Sequence, residues 1–168
     1  MARYPRSGCT ARTTLHLVGP QSWTAVPAAL VYDVSDPFAV RVRFGDGGED
    51  EFDRADDGLH GAVPGEDVPD EDGGVEWLLS RDLLRAGLTG PAGDGDVRLW
   101  PARGGIDVLF LQLRAPSGEA LFELSAAVVG DFLRESEQLV AVGQESEALR
   151  VDDELLALLQ GGSDPSAH

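Results

Sequence analysis

The stretch VEWLLSRDLLRAGLTGPAGDGDVRLWP, residues 75–101, decides how the rest of the chain can fold. Val75, Trp77 and Leu79 lie two residues apart, a spacing that predicts a strand with one buried face. Ser80 follows at the position of a helix N-cap, because its hydroxyl can accept a hydrogen bond from a backbone N–H of the first turn. We therefore expect a strand that runs directly into a helix.

The predicted helix is short and is followed by a second strand. Asp82 in its first turn and Arg85 in its last turn both suit the helix dipole. Gly87 followed by Leu88 predicts a Schellman stop at the end of the helix. After a glycine-rich loop, residues 97–101 (VRLWP) alternate again, so the stretch predicts a strand, a helix, a turn and a strand without a catalytic pattern.

Alternating apolar residues predict further strands at residues 13–18, 28–33, 38–44, 106–113 and 119–124. The strand at 38–44 has apolar residues on one face and Arg41 and Arg43 on the other, which predicts a sheet with one face in water. The strand at 106–113 is apolar on both faces. We expect either a helix or another subunit to cover its second face.

Two helices are predicted in the C-terminal third of the chain. The first has Ser125 as its N-cap and an apolar stripe from Val128 to Val140, and Gly143 ends the pattern. The second opens with Asp152, and its leucines lie almost all round its axis. We expect it to dock in a groove of this chain or of a neighbouring subunit. This order of elements predicts an α+β fold in which an antiparallel sheet is followed by C-terminal helices.

The length of 168 residues suits one domain with a core of its own. We expect a disordered N-terminal extension at residues 1–10, a domain at residues 11–160 and a tail at residues 161–168. Cys9 is the single cysteine, which excludes an internal disulfide and favours a reducing cytoplasm. The sequence has no signal-peptide pattern and no run of 18 apolar residues, so we expect a soluble protein without a membrane span.

Residues 45–74 differ in character from the rest of the chain. This segment holds 12 of the 30 acidic residues against the single Arg54. Such a composition predicts a disordered insertion between two strands. A calcium-binding loop is the sharper alternative, but the register that starts at Asp53 puts Pro64 where the bidentate glutamate belongs, so the EF-hand interpretation fails.

The sequence offers no convincing catalytic or cofactor site. The three histidines, His16, His60 and His168, are scattered over a strand, the acidic segment and the terminus, which argues against a triad or a metal cluster. Cys9 lies where nothing nearby lowers its pKa. All 13 basic residues are arginine, which excludes chemistry that needs a lysine. We therefore expect a non-enzymatic protein without a cofactor or a metal.

Four segments carry a resemblance to a known family. They are VPAALVYDVSDPFAVRVRF at residues 26–44, VEWLLSRDLLRAGL at 75–88, GDVRLWP at 95–101 and SGEALFEL at 117–124. Together they resemble the SsgA-like proteins of sporulating actinomycetes over residues 13–159, apart from the acidic insertion, which the family pattern lacks.

The resemblance implies a fold, a function and candidate contact residues. The fold is a curved antiparallel sheet with C-terminal helices, similar to the whirly single-strand-binding fold and assembled as a homotrimer. The function is the regulation of sporulation-specific cell division at septa, through recruitment of the tubulin-like protein FtsZ or contact with other SsgA-like proteins. The residues of its motifs that are candidates for partner binding are Asp36, Pro37, Trp77, Trp100, Ser117, Gly118 and Glu119.

Ordinary structural roles and other functions also stay open for these residues and for the protein. Trp77 also fits an ordinary core position, and Asp36 and Gly118 fit ordinary turns. A scaffold that binds only another SsgA-like protein is one alternative function. A single-stranded nucleic-acid-binding module is another, which the fold invites and the formal charge of −17 opposes, because nucleic-acid affinity rests largely on the neutralisation of phosphates. We therefore expect no nucleic-acid partner.

Overall fold

The structure, a computed structural model, describes residues 6–45 and 74–161. These residues form one antiparallel sheet of seven strands in the order β4-β3-β2-β1-β7-β6-β5, together with three helices. The elements are β1 (Gly8–Val18), β2 (Trp23–Asp33), β3 (Ala39–Phe44), β4 (Glu76–Ser80), α1 (Arg81–Gly87), β5 (Val97–Pro101), β6 (Leu109–Ala115), β7 (Gly118–Leu124), α2 (Ala126–Leu139) and α3 (Glu145–Gly161). The antiparallel sheet with C-terminal helices confirms the predicted fold class.

The first two strands are longer than expected. They were predicted to begin at Thr13 and Ala28, but β1 begins at Gly8 and β2 at Trp23, and the two pair along their whole length of 11 residues each. The added residues are mostly polar or small, so their alternation is weak in the sequence. Residues 8–10, assigned above to a disordered extension, therefore belong to the sheet, and Cys9 is buried in it.

The sheet is strongly curved. The rings of Phe44 on β3 and Phe122 on β7 are 5.0 Å apart between centroids. Three strand spacings separate β3 from β7 in the sheet order, which would be about 14 Å in a flat sheet. The concave face therefore closes on itself and, with α1 and α2, encloses the core. The convex face carries residues such as Arg41 and Arg43, which are exposed as predicted.

The predicted strand-to-helix connection is confirmed at its start and corrected at its end. The Ser80 hydroxyl accepts a hydrogen bond from Leu83 N at 3.0 Å and caps α1. The expected Schellman stop is absent from this helix, because its C-cap Leu88 has right-handed φ and ψ of −70° and −24°. Gly87 serves close packing instead, since a Cβ there would lie 2.6 Å from the Cβ of Leu99 on β5.

The strand predicted at 106–113 begins later, at Leu109, and Ile106 is 62% exposed. Its alternate residues from Leu109 to Leu113 face the core. On the opposite face Phe110 is half-buried and stacks on Trp100, with 5.6 Å between ring centroids. A neighbouring aromatic side chain thus covers part of this second face.

The helix α2 follows the prediction, and α3 departs from it. The Ser125 hydroxyl accepts a hydrogen bond from Val128 N at 3.2 Å, which confirms the N-cap. The helix α3 begins at Glu145, seven residues before the expected Asp152. The described part of the chain offers no groove that buries its leucines, which are each more than half exposed: Leu155, Leu156, Leu158 and Leu159.

A buried ion pair joins α1 to the start of α3. Arg81, which is 1% exposed, places Nη2 2.5 Å from Oε1 of Glu145, and its Nη1 donates to the Val140 carbonyl at 2.7 Å. Its guanidinium also lies over the Tyr32 ring, 5.1 Å from the centroid. Glu145 accepts in addition from Gly143 N at 2.8 Å. These bonds fix the turn between α2 and α3 against the sheet.

Candidate partner-binding cleft

An apolar cleft opens at the end of the curved sheet where β3 ends and β4 begins. Its volume is about 410 Å³, within the range of roughly 300–1,000 Å³ that is usual for ligand pockets. Phe44, Leu113 and Phe122 are buried and form its inner wall, whereas Val75 and Ser117 are exposed at its rim. The cleft is lined mainly by apolar side chains, so it is suited to binding an apolar group.

The curvature of the sheet is what brings the walls of the cleft together. On one side Val75 and Trp77 come from β4 and the residue before it. On the other side the β6–β7 hairpin contributes its tight turn, in which Ala115 pairs with Gly118 across two residues. Gly118 has a φ of 147°, which a residue with a side chain rarely adopts, so glycine is needed for this turn.

Four of the seven candidate residues meet at this cleft. Trp77 lies on the β4 side, and Ser117, Gly118 and Glu119 lie on the hairpin side, forty residues further along the chain. Trp77 is half-buried and also packs against the core. One part of its surface therefore contributes to the core, and another part is open to a partner. The family resemblance suggested these positions as motif residues, and the fold places these four beside one cleft.

The other three candidates lie elsewhere. Asp36 and Pro37 form the turn between β2 and β3, where the buried Pro37 carbonyl accepts a hydrogen bond from the Tyr32 hydroxyl at 3.0 Å. Trp100 follows the buried Leu99 on β5, so its side chain belongs to the opposite face of the sheet, stacked on Phe110. None of these three lines the cleft.

The polar rim of the cleft is internally paired. Glu119 accepts a hydrogen bond from Gln112, and its other oxygen lies 3.4 Å from Nε of Arg114. Glu76, next to Trp77 on β4, pairs with Arg43 at 2.8 Å and with Arg41 at 3.8 Å. All of these groups are well exposed, so their ion pairs are worth at most about 1 kcal/mol each. Of these groups, Glu119 lines the cleft, whereas Glu76, Arg41 and Arg43 lie on the convex face of the sheet.

The titratable groups with shifted pKa values lie outside the cleft and have structural causes. Burial raises the pKa of the Cys9 thiol to about 11, with a smaller contribution from the nearby Glu135 carboxylate. Hydrogen bonds from Ser35 lower the pKa of Asp33. Hydrogen bonds from Ser125 and from Ala127 N lower that of Asp107 at the start of α2. A thiol that stays protonated at neutral pH is a poor nucleophile.

Within residues 6–45 and 74–161, no three histidine, cysteine, aspartate or glutamate side chains are grouped so that they could hold a metal ion. Among the three described helices, none is both long and apolar enough to span a bilayer.

Comparison with known proteins places the chain in one family. The model of the family described as "Streptomyces sporulation and cell division protein, SsgA" matches residues 26–145, which include the cleft apart from Leu17. The sporulation-specific cell division protein SsgB of Streptomyces coelicolor is 36% identical over 154 residues, covering 89% of this chain and 96% of the relative. SsgB of Salinispora tropica is 40% identical over 154 residues, covering 89% of this chain and 91% of the relative.

Solved structures agree with this assignment. An SsgA-like sporulation-specific cell division protein from Thermobifida fusca superposes with a TM-score of 0.69 at 29% identity, covering 94% of this chain and 99% of the other. A structure reported with SsgB mutations that correlate with longitudinal cell division during sporulation of Streptomyces coelicolor gives a TM-score of 0.66 at 33% identity, covering 88% and 99%. The family description names cell division and sporulation, not a catalysed reaction. This chain therefore belongs to the SsgA family of sporulation and cell division proteins.

Proposed function

We propose that the protein is a non-enzymatic regulator of sporulation-specific cell division, which acts in the cytoplasm at division septa and helps to position the septum by recruiting FtsZ. The observation that carries the proposal is the similarity to SsgB proteins over nearly nine-tenths of the chain, at 36–40% identity to two of them. The apolar cleft supports a binding role, because its inner wall is formed by the apolar side chains of Phe44, Leu113 and Phe122.

In this proposal the cleft and its hairpin rim are the contact surface for the division machinery. Trp77 lines the cleft on the β4 side, and Ser117, Gly118 and Glu119 line it on the hairpin side. Aromatic side chains at such openings contribute most to protein interfaces, because they combine a large apolar area with low conformational entropy. Another SsgA-like protein is a second partner that the same surface would suit.

The experiment is a pull-down of FtsZ from the same organism with the purified full-length protein, before and after a charge reversal at the rim. Glu119→Arg changes an exposed side chain whose partners among the described residues are Gln112 and Arg114, so the fold should persist. The matched control is Asp131→Arg, an exposed side chain on α2 that does not line the cleft. We expect Glu119→Arg to weaken FtsZ capture and to disperse fluorescent FtsZ in sporulating cells, and Asp131→Arg to do neither. Unchanged FtsZ localisation with Glu119→Arg would contradict this surface.

A homotrimer is the assembly that goes with this proposal. The support from the structure is α3, which exposes Leu156 and Leu159 to the extent of 53% and 71%. A helix that presents leucines to water gains roughly 25 cal/mol for each Å² of apolar surface that another subunit covers. Light scattering of the purified protein should give the mass of a trimer, and Leu156→Asp with Leu159→Asp should reduce it to that of a monomer, whereas Gln160→Glu should not. A monomer at micromolar concentration before any substitution would refute the assembly.

A further inference from the structure

A row of side chains that is mostly aromatic crosses the convex face of the sheet. Its members pair in register on four adjacent strands: Trp100 on β5, Phe110 on β6, Glu123 on β7 and His16 on β1. Residues that are directly opposed on adjacent strands have their side chains on the same face. Their neighbours along the chain, such as Leu15, Leu99 and Phe122, are buried in the core, so the row faces outward.

An aromatic pair lies on each side of Glu123 in this row. On the β6 side, the Phe110 ring stacks on Trp100, with 5.6 Å between the ring centroids and 24° between the planes. On the β1 side, the His16 ring contacts Trp23, the first residue of β2, at 5.5 Å and 34°. Trp23 is 65% exposed, and the other three rings are partly exposed. Together with Trp23, the row is an apolar surface open to water, and such surfaces are typical of interaction sites.

The Glu123 carboxylate at the centre of the row has no partner among the described residues, since none of them forms a hydrogen bond or an ion pair with it. By contrast, Glu119 on the same strand and the same face is paired with Gln112 and Arg114. The face of an aromatic ring carries the negative part of its quadrupole, so rings beside a carboxylate add to its attraction for a cation. The centre of the row is therefore suited to a positively charged group.

The charges around Glu123 agree with this conclusion. Asp107 accepts a hydrogen bond from the Ser125 hydroxyl at 2.7 Å, which places a second exposed carboxylate near the end of β7. Arg98 on β5 faces the same way as the row, but it lies two strands and two residues from Glu123, about 12 Å by ordinary strand spacings. The screening length at physiological salt is about 8 Å. Arg98 therefore weakens the attraction of Glu123 for a cation only slightly.

Arginine is the side chain that fits this arrangement. Its guanidinium is planar, stacks on aromatic faces and donates two parallel hydrogen bonds to a carboxylate. A lysine ammonium is a compact and strongly hydrated charge, which neither stacks nor donates in parallel. A nucleobase would stack on the same rings, but its phosphates would lie near the Glu123 carboxylate, and that repulsion disfavours nucleic acid.

We propose that this aromatic row binds an arginine side chain that a partner protein presents to the convex face. The guanidinium pairs with the Glu123 carboxylate and stacks on the neighbouring ring of Phe110 or His16. The row lies on the opposite face of the sheet from the cleft assigned above to the division machinery. The two surfaces can therefore be tested separately, and the failure of one leaves the other standing.

The experiment is an NMR titration of the full-length protein, labelled with nitrogen-15 in its three tryptophans. Single tryptophan-to-phenylalanine variants assign the three indole N–H signals. The probe is a short peptide with one arginine between two valines, and matched probes replace that arginine by lysine, by its neutral isostere citrulline or by glutamate. We expect the arginine probe to shift the signals of Trp23 and Trp100 along one saturation curve. The signal of Trp77, which lines the cleft, should stay unchanged.

The matched probes separate the contribution of charge from that of shape. We expect lysine to weaken binding about threefold or more, because it loses the stacking and the paired hydrogen bonds. Citrulline should weaken binding about tenfold or more, because it keeps the planar shape but loses the charge. The glutamate probe should not shift the signals.

Protein variants test the carboxylate itself. Glu123→Gln should weaken binding of the arginine probe about tenfold and bring arginine and citrulline close to equal affinity. Asp131→Asn removes the same charge from an exposed position on α2 and should change the affinity by less than about twofold. Circular dichroism reports whether Glu123→Gln is folded. If it is not, the comparison of arginine with citrulline on the unaltered protein still decides the question.

Several outcomes would overturn the proposal. Equal affinity for arginine and citrulline would mean that the row recognises no cation, and equal affinity for arginine and lysine would mean that it recognises charge alone. Unchanged binding in Glu123→Gln would remove the carboxylate from the site. Shifts of the Trp23 and Trp100 signals on addition of a thymidine oligonucleotide would point to nucleic acid, and shifts on dilution of the protein alone would point to a second copy as the occupant.

Discussion

Replacement of Glu145 by glutamine should destabilise the protein far more than any surface charge substitution. Glu145 is 6% exposed, and Arg81, which it neutralises, is 1% exposed. The amide keeps the shape and one hydrogen-bond acceptor but removes the negative charge. Arg81 then stays buried without a counter-charge, held only by neutral partners such as the Val140 carbonyl.

The magnitude follows from the burial of the pair. Removal of one partner of a buried ion pair costs about 3–5 kcal/mol, because the charge left behind is not solvated. Because glutamine keeps one hydrogen-bond acceptor, we expect Glu145→Gln to cost about 3 kcal/mol, near the lower end of this range. The double variant Arg81→Met with Glu145→Leu should lose less than the sum of the two single losses, because no uncompensated charge remains. Most of the cost is thus the cost of leaving one charge alone.

The assay is urea unfolding at fixed protein concentration, followed by tryptophan fluorescence at several pH values. The hydrogen bond from Arg81 holds the pKa of Glu145 below its ordinary value of 4.5. A depressed carboxylate pKa contributes stability that is fully present above 4.5 and is lost as the pH falls toward the lowered value. The free energy of unfolding should therefore fall less between pH 7 and pH 3 in Glu145→Gln than in the unaltered protein, at roughly constant urea dependence.

An exposed ion pair on α2 provides the control. Asp131 and Arg134 are 72% and 69% exposed, so Asp131→Asn should cost no more than about 1 kcal/mol. If Glu145→Gln also costs less than about 1 kcal/mol, or leaves the acid dependence of unfolding unchanged, the pair with Arg81 does not fix the start of α3 as described.

Four other predictions concern the core, the thiol, the acidic segment and nucleic acid. Gly87→Ala should lower the free energy of unfolding in urea by about 1–3 kcal/mol, because its Cβ would meet the fully buried Leu99. Gly130→Ala should raise it by about 0.5–1 kcal/mol, because the nearest atom to its Cβ would be the end of the Arg134 side chain at 3.7 Å. Equal effects of the two substitutions would refute the packing argument. Cys9, with its pKa raised to about 11, should react slowly with a disulfide reagent at pH 8 until the protein is unfolded, and rapid reaction of the native protein would contradict its burial. Replacement of residues 46–72 by a short Gly-Ser turn should leave the melting temperature and the mass in solution nearly unchanged, and loss of the fold would show that the segment is part of the core. Single-stranded DNA should not bind at physiological salt in a gel-shift assay, and micromolar binding that weakens steeply with salt would overturn that expectation.

Local patterns in the sequence were enough to predict what depends on near neighbours. Ser80 and Ser125 cap their helices as expected, because an N-cap needs only a hydroxyl and the next turn of backbone. The buried and exposed faces of β3 were predicted correctly, because the alternation of valine with arginine is a strong signal of a strand. The errors at β1 and at α3 arise where polar residues begin an element, so that no apolar periodicity marks its start.

Features that join distant parts of the chain could not be predicted in this way. Arg81 and Glu145 are 64 residues apart, and nothing around either of them indicates burial of a charge. The cleft brings Trp77 on β4 and Glu119 on the β6–β7 hairpin into one site, which depends on the strand order and on the curvature of the sheet. Sequence motifs selected both residues, but the family resemblance and not a physical pattern selected them together. Residues 46–73 and 162–168, predicted to be a disordered insertion and a tail, lie outside the described residues.

The strand order has a consequence for the way in which the chain reaches its native state. Every neighbouring pair of strands is consecutive along the chain except β1 and β7, which divide the sheet into two meanders. These two strands meet over only two register pairs, in which Leu17 lies beside Phe122, more than a hundred residues away. Closure of so long a loop costs entropy before the contacts it brings can offset that cost. Each meander can therefore form early, and the pairing of β1 with β7 should form last. The same pairing should be the first to open when the native sheet fluctuates, and amide protons there should exchange ahead of those in the long β1–β2 hairpin.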